Sequence, residues 1–223
     1  MDQTTELAAT ARWVNAACEM TSHNIANAQT VAFKKTLPVF GENGVLSGQR
    51  SFSQGTLQQT GEKLDFAIVG PGFFVVQLPD GTQAYTRVGH FTTDANGLIV
   101  TADGFRVVGI QPLPAGTQSI TAGKDGTISY ISANGASTFN IQLAVFAAPE
   151  RLNVNSSGLF VESLAAGNPD IAQPSDNRGE SLCQGYLEMS NVHVPEEMAR
   201  LSKLTSWKRN LLKALDLRYR SQD

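Results

Sequence analysis

The sequence predicts an α+β protein in which amino- and carboxy-terminal helices form a coiled-coil-like pair and flank an antiparallel, all-β central domain. Apolar residues recur at helical spacing near both ends of the chain, which predicts the two helices. Short β-branched and aromatic runs fill the middle, and Asp-Gly or Asn-Gly pairs separate them. Such pairs favour hairpin turns, so the middle is predicted to be antiparallel.

The first helix is predicted by an apolar stripe whose steps alternate between four and three residues. Its members are Leu7, Ala11, Val14, Cys18, Thr21, Ile25 and Ala28. A mean step of about 3.5 residues suits lengthwise packing on another helix. The many alanines in this segment would permit close approach of that partner.

The second helix is predicted to begin near Pro195, because proline is tolerated in a first helical turn. Glu196 and Glu197 follow, and their charges suit the positive end of the helix dipole. The apolar side consists of Met198, Leu201, Leu204, Leu211 or Leu212, Leu215 and Tyr219. Trp207 interrupts or widens this side.

The central runs include FFVVQL, FRVVGI and FNIQLAVF. Candidate turns lie between or beside such runs at Asp80-Gly81, Asn96-Gly97, Asp103-Gly104, Asp125-Gly126 and Asn134-Gly135.

The predicted organisation has four segments. They are a helix with a following turn (1–35), an extended connector (36–63), the β domain (64–182) and a carboxy-terminal segment with the second helix (183–223).

Composition excludes several classes of function. The net charge of −3 and the pI near 5.6 argue against a nucleic-acid binder, since such domains carry a basic face. The amino terminus lacks the basic region and apolar core of a secretory signal peptide, and no transmembrane segment is expected. Cys18 and Cys183 lack the spacing of a zinc or redox motif, and sequence distance leaves their pairing open.

The terminal helices each carry an apolar stripe that needs a partner. A single helix pair leaves apolar surface on its outer sides, which neighbouring copies would cover. The alternative is an ordinary α+β domain in which both helices fold back on the β body. Under the assembly hypothesis, the predicted subunit contacts are Leu7, Ala11, Val14, Cys18, Ile25, Met198, Leu201, Leu204, Leu211, Leu215 and Tyr219.

Several stretches resemble the signatures of the bacterial flagellar rod and hook axial protein family. The first runs from Ser22 to Lys34, the second from Phe52 to Val76, the third from Tyr85 to Phe91, and the last from Gln184 to Val192. The residues that carry the resemblance are Asn24, Ala26, Asn27, Phe33, Gln54, Gly55, Leu64, Asp65, Gly72, Phe73, Phe74, Gly185, Ser190, Asn191 and Val192. The order of the stretches is that of the family, and together they span nearly the whole chain.

The chain departs from the family pattern at named positions. Ile25 replaces a leucine, and Ala32 replaces a glycine. The stretch between Lys35 and Phe52 is shorter than in distal rod members, which the β segment resembles most. Residues 205–209 also differ from the family's usual carboxy terminus. A proximal rod paralogue or a hook-type protein is therefore an open alternative.

The resemblance implies an axial subunit of the basal body that is exported through the flagellar type III apparatus without a cleaved signal. Its terminal helices would form the inner tube of a periplasm-spanning rod around the export channel, and its β domain the outer layer. The implied partners are copies of itself, other rod and hook proteins and the export apparatus. No nucleic acid, small-molecule substrate, cofactor or metal is implied.

Catalytic chemistry is the rival hypothesis. Asp65, Asp94, Asp103 and Asp125 would suit a secreted hydrolase that uses paired carboxylates. Asp103 and Asp125 precede glycines, however, and aspartate is common in turns for structural reasons. The three histidines lie in separate regions without ligand spacing. A structural protein is therefore predicted, with a hydrolase or a monomeric binding module as alternatives.

Overall fold

The computed structural model describes residues 3–40, 46–133 and 135–220. The chain divides into two compact units. The helical unit comprises residues 1–51 and 190–223, and the β unit comprises residues 52–189.

Two long helices and many short strands make up the described residues. The helices are α1 (Gln3–Ala26) and α2 (Val194–Arg220). The strands are β1 (Thr36–Phe40), β2 (Leu46–Arg50), β3 (Leu57–Gln59), β4 (Phe66–Val69), β5 (Phe73–Gln77), β6 (Gln83–Thr86), β7 (Phe91–Thr93), β8 (Ile99–Thr101), β9 (Arg106–Val107), β10 (Ser119–Ala122), β11 (Thr127–Ser132), β12 (Gly135–Asn140), β13 (Leu143–Val145), β14 (Asn153–Val154), β15 (Phe160–Val161), β16 (Asp170–Ala172), β17 (Ser181–Gln184) and β18 (Tyr186–Glu188).

The helical unit contains α1, α2 and the hairpin of β1 and β2. The two helices contact each other in opposite directions, because Asn24 bonds Glu197 while Asn15 bonds Lys208. The buried side of α1 consists of Val14, Ala17, Thr21 and Asn24. Their spacing of three or four residues is that of one helix face. The predicted terminal helices are therefore confirmed.

The β unit consists of antiparallel strand pairs. Its largest sheet has the order β14-β15-β6-β5-β9-β8-β7, and β13 pairs with both β5 and β16. A second sheet has the order β10-β11-β12, and β17 and β18 pair with β4 and β3 respectively. The predicted antiparallel β centre and the α+β class are confirmed.

Side-chain alternation along β5 separates two cores in the β unit. Phe74 packs with Phe66, Ile128 and Leu143 in the first core. Phe73 packs in a second core, where its ring lies 5.6 Å from that of Phe160 and 5.9 Å from that of Phe146. Successive residues of a strand point to opposite faces, so the adjacent phenylalanines anchor one core each.

The predicted turns connect neighbouring strands. Gly81, Gly97, Gly104 and Gly126 each have a positive φ between 78° and 85° and lie between paired strands. Glycine adopts this backbone conformation without the steric cost that a Cβ atom adds. Asn134 lies outside the described residues, so the structure gives no account of the fifth predicted pair.

Segment 36–63, predicted as an extended connector, contains β1, β2 and β3 in its described part. The division into units falls after residues 51 and 189. The four predicted segment boundaries remain a prediction. Neither α1 nor α2, within the residues described, is long and apolar enough to cross a membrane.

Candidate assembly site

Asn24 joins three parts of the helical unit through its side-chain amide. Its Oδ1 accepts a hydrogen bond from the Thr36 backbone N–H at 2.9 Å, and its Nδ2 donates to the Thr36 carbonyl at 2.9 Å. The same Nδ2 donates to Glu197 Oε2 on α2 at 3.2 Å. Asn24 is fully buried, and Glu197 is nearly so. Asn24 therefore fixes the start of β1 and the contact between the helices.

Asn191 joins separate parts of the helical unit through its side-chain amide in the same way as Asn24. Its Oδ1 accepts from the Lys35 backbone N–H at 2.8 Å, and its Nδ2 donates to the Ser51 carbonyl at 2.8 Å. The Asn191 backbone N–H also donates to the Phe33 carbonyl. An asparagine amide carries both a donor and an acceptor, so it can replace a missing strand neighbour. These two asparagines hold the open end of the β1–β2 hairpin, where β1 begins and β2 ends.

The turn after α1 explains two further signature positions. Asn27 Nδ2 donates to the His23 carbonyl at 2.9 Å, and Thr30 Oγ1 donates to Asn27 Oδ1. Asn27 thus adds a side-chain donor to a carbonyl that also accepts the Asn27 backbone N–H at 3.2 Å, and both bonds stabilise the end of the helix. Ala32 is buried and adopts φ of +56°, the left-handed conformation that glycine tolerates best. This is the position where the family pattern has glycine.

Replacing Ala32 with glycine is therefore expected to stabilise the helical unit by about 0.5–1 kcal/mol, because the steric penalty of Cβ is removed. Both tryptophans, Trp13 and Trp207, lie in this unit. Urea unfolding followed by tryptophan fluorescence therefore measures the change. Ala28→Gly, in the same turn, is the control and should destabilise. A lower stability of Ala32→Gly would show that packing of the methyl group outweighs strain.

The predicted contact residues differ in how far the single chain buries them. Val14 and Leu211 are buried, and Met198 is 59% exposed. The half-buried members are Leu7, Ala11, Cys18, Ile25, Leu201, Leu204 and Leu215. The side chain of Tyr219 lies outside the described residues. Ile25, Met198 and Leu201 line one open groove between α1 and α2.

In the β unit, residues of the central signature take part in a buried hydrogen-bond network around Arg87 and Glu188, here called the latch. The Arg87 Nε donates to Glu188 Oε2 at 2.7 Å, and both side chains are almost completely buried. The remaining guanidinium donors bond the carbonyls of Ile68, Gly70 and Gly72 at 2.7–3.1 Å. Arg87 thereby ties the connection between β4 and β5 to β18.

Gln54 and Gly55 complete the same latch. Gln54 Nε2 donates to the Ile68 carbonyl at 2.8 Å, while its Oε1 accepts from the Gly70 N–H at 3.0 Å. The Gly55 N–H donates to Glu188 Oε1 at 2.8 Å. Both oxygens of the buried carboxylate therefore have partners, as a buried charge requires.

The other central signature residues lie near this latch or at the surface of the first core. The Gly185 N–H donates to the Asp65 carbonyl, and Asp65 Oδ1 lies 2.6 Å from His90 Nδ1. Leu64 packs on the first core. Gly72 has φ of +112° in the connection before β5. The remaining signature residues lie in the helical unit, at the end of α1 or just after it and in the segment before α2. They are Ala26, Phe33, Ser190 and Val192.

The candidate catalytic carboxylates have structural partners or lie apart in turns. Asp125 accepts hydrogen bonds from the Thr127 backbone N–H and hydroxyl, and these bonds hold its pKa below the ordinary value. Asp94 accepts from the backbone N–H groups of Asn96 and Leu98. Asp103 is exposed in the turn between β8 and β9. The hydrogen bonds favour a structural role for Asp94 and Asp125, and the exposed turn position favours one for Asp103.

Cys18 and Cys183 are free thiols. Across residues 3–40, 46–133 and 135–220, no group of three His, Cys, Asp or Glu side chains is positioned to hold a metal ion.

Sequence reasoning missed the pairing of Arg87 with Glu188 and the contact of Glu197 with Asn24. Both acids stand within or beside the quoted signatures, but their partners lie 101 and 173 positions away.

Comparison with known proteins identifies the family. A model described as the flagellar hook protein FlgE/F/G D1 domain matches residues 67–130. The chain is 34% identical over 211 residues to the flagellar basal-body rod protein FlgG of Buchnera aphidicola subsp. Schizaphis graminum, with 81% of each chain covered.

It is also 35% identical over 218 residues to FlgG of Bacillus subtilis, with 82% of each chain covered. Identity to the flagellar basal-body rod protein FlgF of Rhizobium meliloti is 32% over 201 residues, with 82% of this chain and 78% of that protein covered. The chain therefore belongs to the family of FlgG-like flagellar basal-body rod proteins.

Proposed function

We propose that the chain is a structural subunit of the flagellar basal-body rod and that copies of it stack helically around the export channel. The observation that carries the proposal is the similarity to FlgG proteins over about four fifths of the chain. The rod is the axial drive shaft in this proposal, and the chain contributes to motility by assembling into it.

The open groove between α1 and α2 is the proposed contact surface. Ile25 and Leu201 line it and are only half-buried, while Met198 at its edge is 59% exposed. A helix of a second copy would cover these apolar side chains, which gain from removal from water. The two helices would then pack as a coiled-coil-like pair within a larger tube of helices.

The finer features of the proposal concern partners and location. The chain would contact other rod and hook proteins and reach the periplasm-spanning rod through the flagellar export apparatus without a cleaved signal. The segments 1–35 and 183–223 would carry the assembly contacts, while 64–182 forms the outer β layer and 36–63 joins it to the inner tube. Catalysis has no part in this function.

Ile25→Asp and Leu201→Asp should each abolish rod assembly, because an unpaired carboxylate in the covered groove would have to lose its water. Each variant replaces the native protein in the source bacterium, and rods are counted by electron microscopy of isolated basal bodies. Circular dichroism of the purified monomers should remain close to that of the wild type, since both positions border the groove.

Ser22→Asp is the matched control. It adds the same charge to an exposed position of α1, three residues from Ile25. This control should build complete rods. Complete rods built from Ile25→Asp would instead refute the groove as a contact surface.

The subunit role itself is tested by cryo-electron microscopy of hook-basal bodies from the source organism. Density that fits this chain within the rod is expected. A complete rod without this chain would refute the proposal and favour a monomeric binding module. In that case, amide hydrogen exchange in the dilute monomer should find both terminal helices well protected.

A further inference from the structure

A small apolar pocket lies beside the latch of the β unit. Six of its lining residues have apolar or aromatic side chains: Phe52, Pro71, Phe73, Val145, Phe146 and Pro149. The pocket has a volume of about 120 Å³. Sites for whole small molecules are usually about 300–1,000 Å³, so this pocket is too small for such a ligand. A cavity of about 150 Å³ is known to hold benzene, so this volume suits one aliphatic side chain.

The charged residue in the wall of the pocket is already engaged. Arg87 lines the pocket, but its Nε donates to Glu188 Oε2. Its two terminal nitrogens donate to three carbonyls in and after β4. A charged ligand would lose its water without gaining an ion pair from this guanidinium. The pocket therefore favours an uncharged, apolar group.

The β unit also carries an apolar side chain of suitable size at its surface. Leu164 lies in the turn between β15 and β16 and is fully exposed. It is the most exposed of the large apolar side chains in the described part of the chain. Single exposed apolar residues are common, so exposure alone does not indicate an interaction. The geometry of the turn distinguishes this leucine.

Hydrogen bonds fix the turn that presents Leu164. Ser163 Oγ donates to the Arg151 carbonyl at 2.6 Å. The Ala166 backbone N–H donates to both the carbonyl and the Oγ of Ser163 at 3.1 Å. The Ala166 side chain is buried in the second core. Because a fixed turn has little freedom left to lose on binding, Leu164 is a preorganised apolar tip.

We infer that Leu164 of one copy inserts into the pocket beside the latch of a second copy. The inference rests on the proposed rod function and names a contact between β units that is separate from the groove between α1 and α2. A leucine tip and a pocket are different surfaces, so the contact can repeat from each copy to the next. One buried leucine stabilises a contact only modestly, and many copies in a rod would add these contacts together.

Disulfide cross-linking in isolated basal bodies tests the inference. Cells produce two single-substitution copies, Leu164→Cys and Val145→Cys, in place of the native protein. Oxidation of their basal bodies should give a covalent dimer, because the two new thiols meet at the contact. Each copy produced alone should give no dimer above the background that Cys18 and Cys183 set in the wild type. Mass spectrometry should identify the peptide that joins residue 164 to residue 145.

A matched control moves the tip cysteine to another exposed turn of the same unit. Ser156→Cys, between β14 and β15, should give no dimer with Val145→Cys. A dimer from Leu164→Cys alone would show that two tips meet, which would overturn the inference. A cross-link to a different rod protein would also overturn it, because the partner would not be a second copy.

The absence of a cross-link would have two distinct meanings. If the chain is present in the basal bodies but does not cross-link, the inference is wrong and the rod function stands. If the chain is absent from the basal bodies, the rod function itself is refuted. Immunoblotting of the same basal bodies separates these two results.

The energetic contribution of the contact is measured by release of the chain from basal bodies in urea. Leu164→Ser should speed release about tenfold, since a buried leucine loses its apolar contact. Val145→Phe fills the pocket and should have a similar effect. Ile131→Ser changes another exposed apolar side chain of the β unit and should leave the rate near that of the wild type.

The double variant shows whether both changes act on one contact. Leu164→Ser with Val145→Phe should release no faster than the faster single variant, because either change already removes the contact. Rates that multiply to about hundredfold would mean independent effects and would overturn the inference. Circular dichroism checks that each variant folds. The cross-link decides the question if Val145→Phe does not.

Discussion

Arg87→Met is expected to destabilise the β unit by about 3–5 kcal/mol, since removing one member of a buried ion pair leaves the other charge uncompensated. The Glu188 carboxylate would lose its guanidinium partner and keep the hydrogen bond from the Gly55 N–H. The carbonyls of Ile68, Gly70 and Gly72 would lose the guanidinium donors as well. Hydrogen exchange of the β5 amides and thermal unfolding measured by circular dichroism report the loss.

Two further variants separate the buried charge from general effects of losing an arginine. Arg151→Met removes an exposed arginine and should change the stability of the β unit by less than about 0.5 kcal/mol. Adding Glu188→Gln to Arg87→Met should recover part of the loss, because the unpaired charge is gone. A double variant that is no more stable than Arg87→Met would show that the carbonyl bonds, rather than the ion pair, account for the effect.

Asn24→Asp is expected to be the most damaging isosteric change in the helical unit, with a loss of roughly 3 kcal/mol or more. The ionised side chain cannot donate to the Thr36 carbonyl, and it places a second carboxylate beside Glu197 Oε2, which now lies 3.2 Å from the amide nitrogen. Urea unfolding followed by the fluorescence of Trp13 and Trp207 measures the loss.

A control variant and a rescue variant separate the effect of the buried carboxylate from that of an added charge. Ser22→Asp adds a charge to an exposed site on the same helix and should cost less than about 0.5 kcal/mol. Glu197→Gln combined with Asn24→Asp should restore part of the stability by removing the repulsion between carboxylates. Wild-type stability of Asn24→Asp at neutral pH would contradict a stabilising role for the hydrogen bonds from the Asn24 amide to Thr36 and Glu197.

The local pattern of the chain was sufficient to predict the class of fold. The helical spacing of the apolar residues around Val14, and of those around Leu211, depends on neighbours within a few residues. The same holds for the Asp-Gly and Asn-Gly turns and for the adjacent Phe73 and Phe74. Such short-range rules can be recognised in one sequence because backbone geometry repeats every two or 3.6 residues. The family signatures could also be recognised directly as strings of residues.

The sequence alone did not explain why the signature residues have the identities they have. Asn24 lies near the end of the first predicted helix, and Asn191 lies just before the second. Their partners Thr36, Glu197 and Ser51 cannot be foreseen from these positions. A buried polar side chain is determined by whatever donor or acceptor the tertiary fold brings opposite it. No periodicity carries that information.

By itself, the sequence determined the two terminal helices, the antiparallel β centre and the resemblance to the axial family, since local spacing and recognisable motifs carry each of them. Only the tertiary structure decided that Arg87 neutralises Glu188, that Asn24 joins β1 to α2, and which helical side chains remain exposed. These contacts join residues far apart in the chain, where the energy of a pair depends on burial and geometry that exist only after folding.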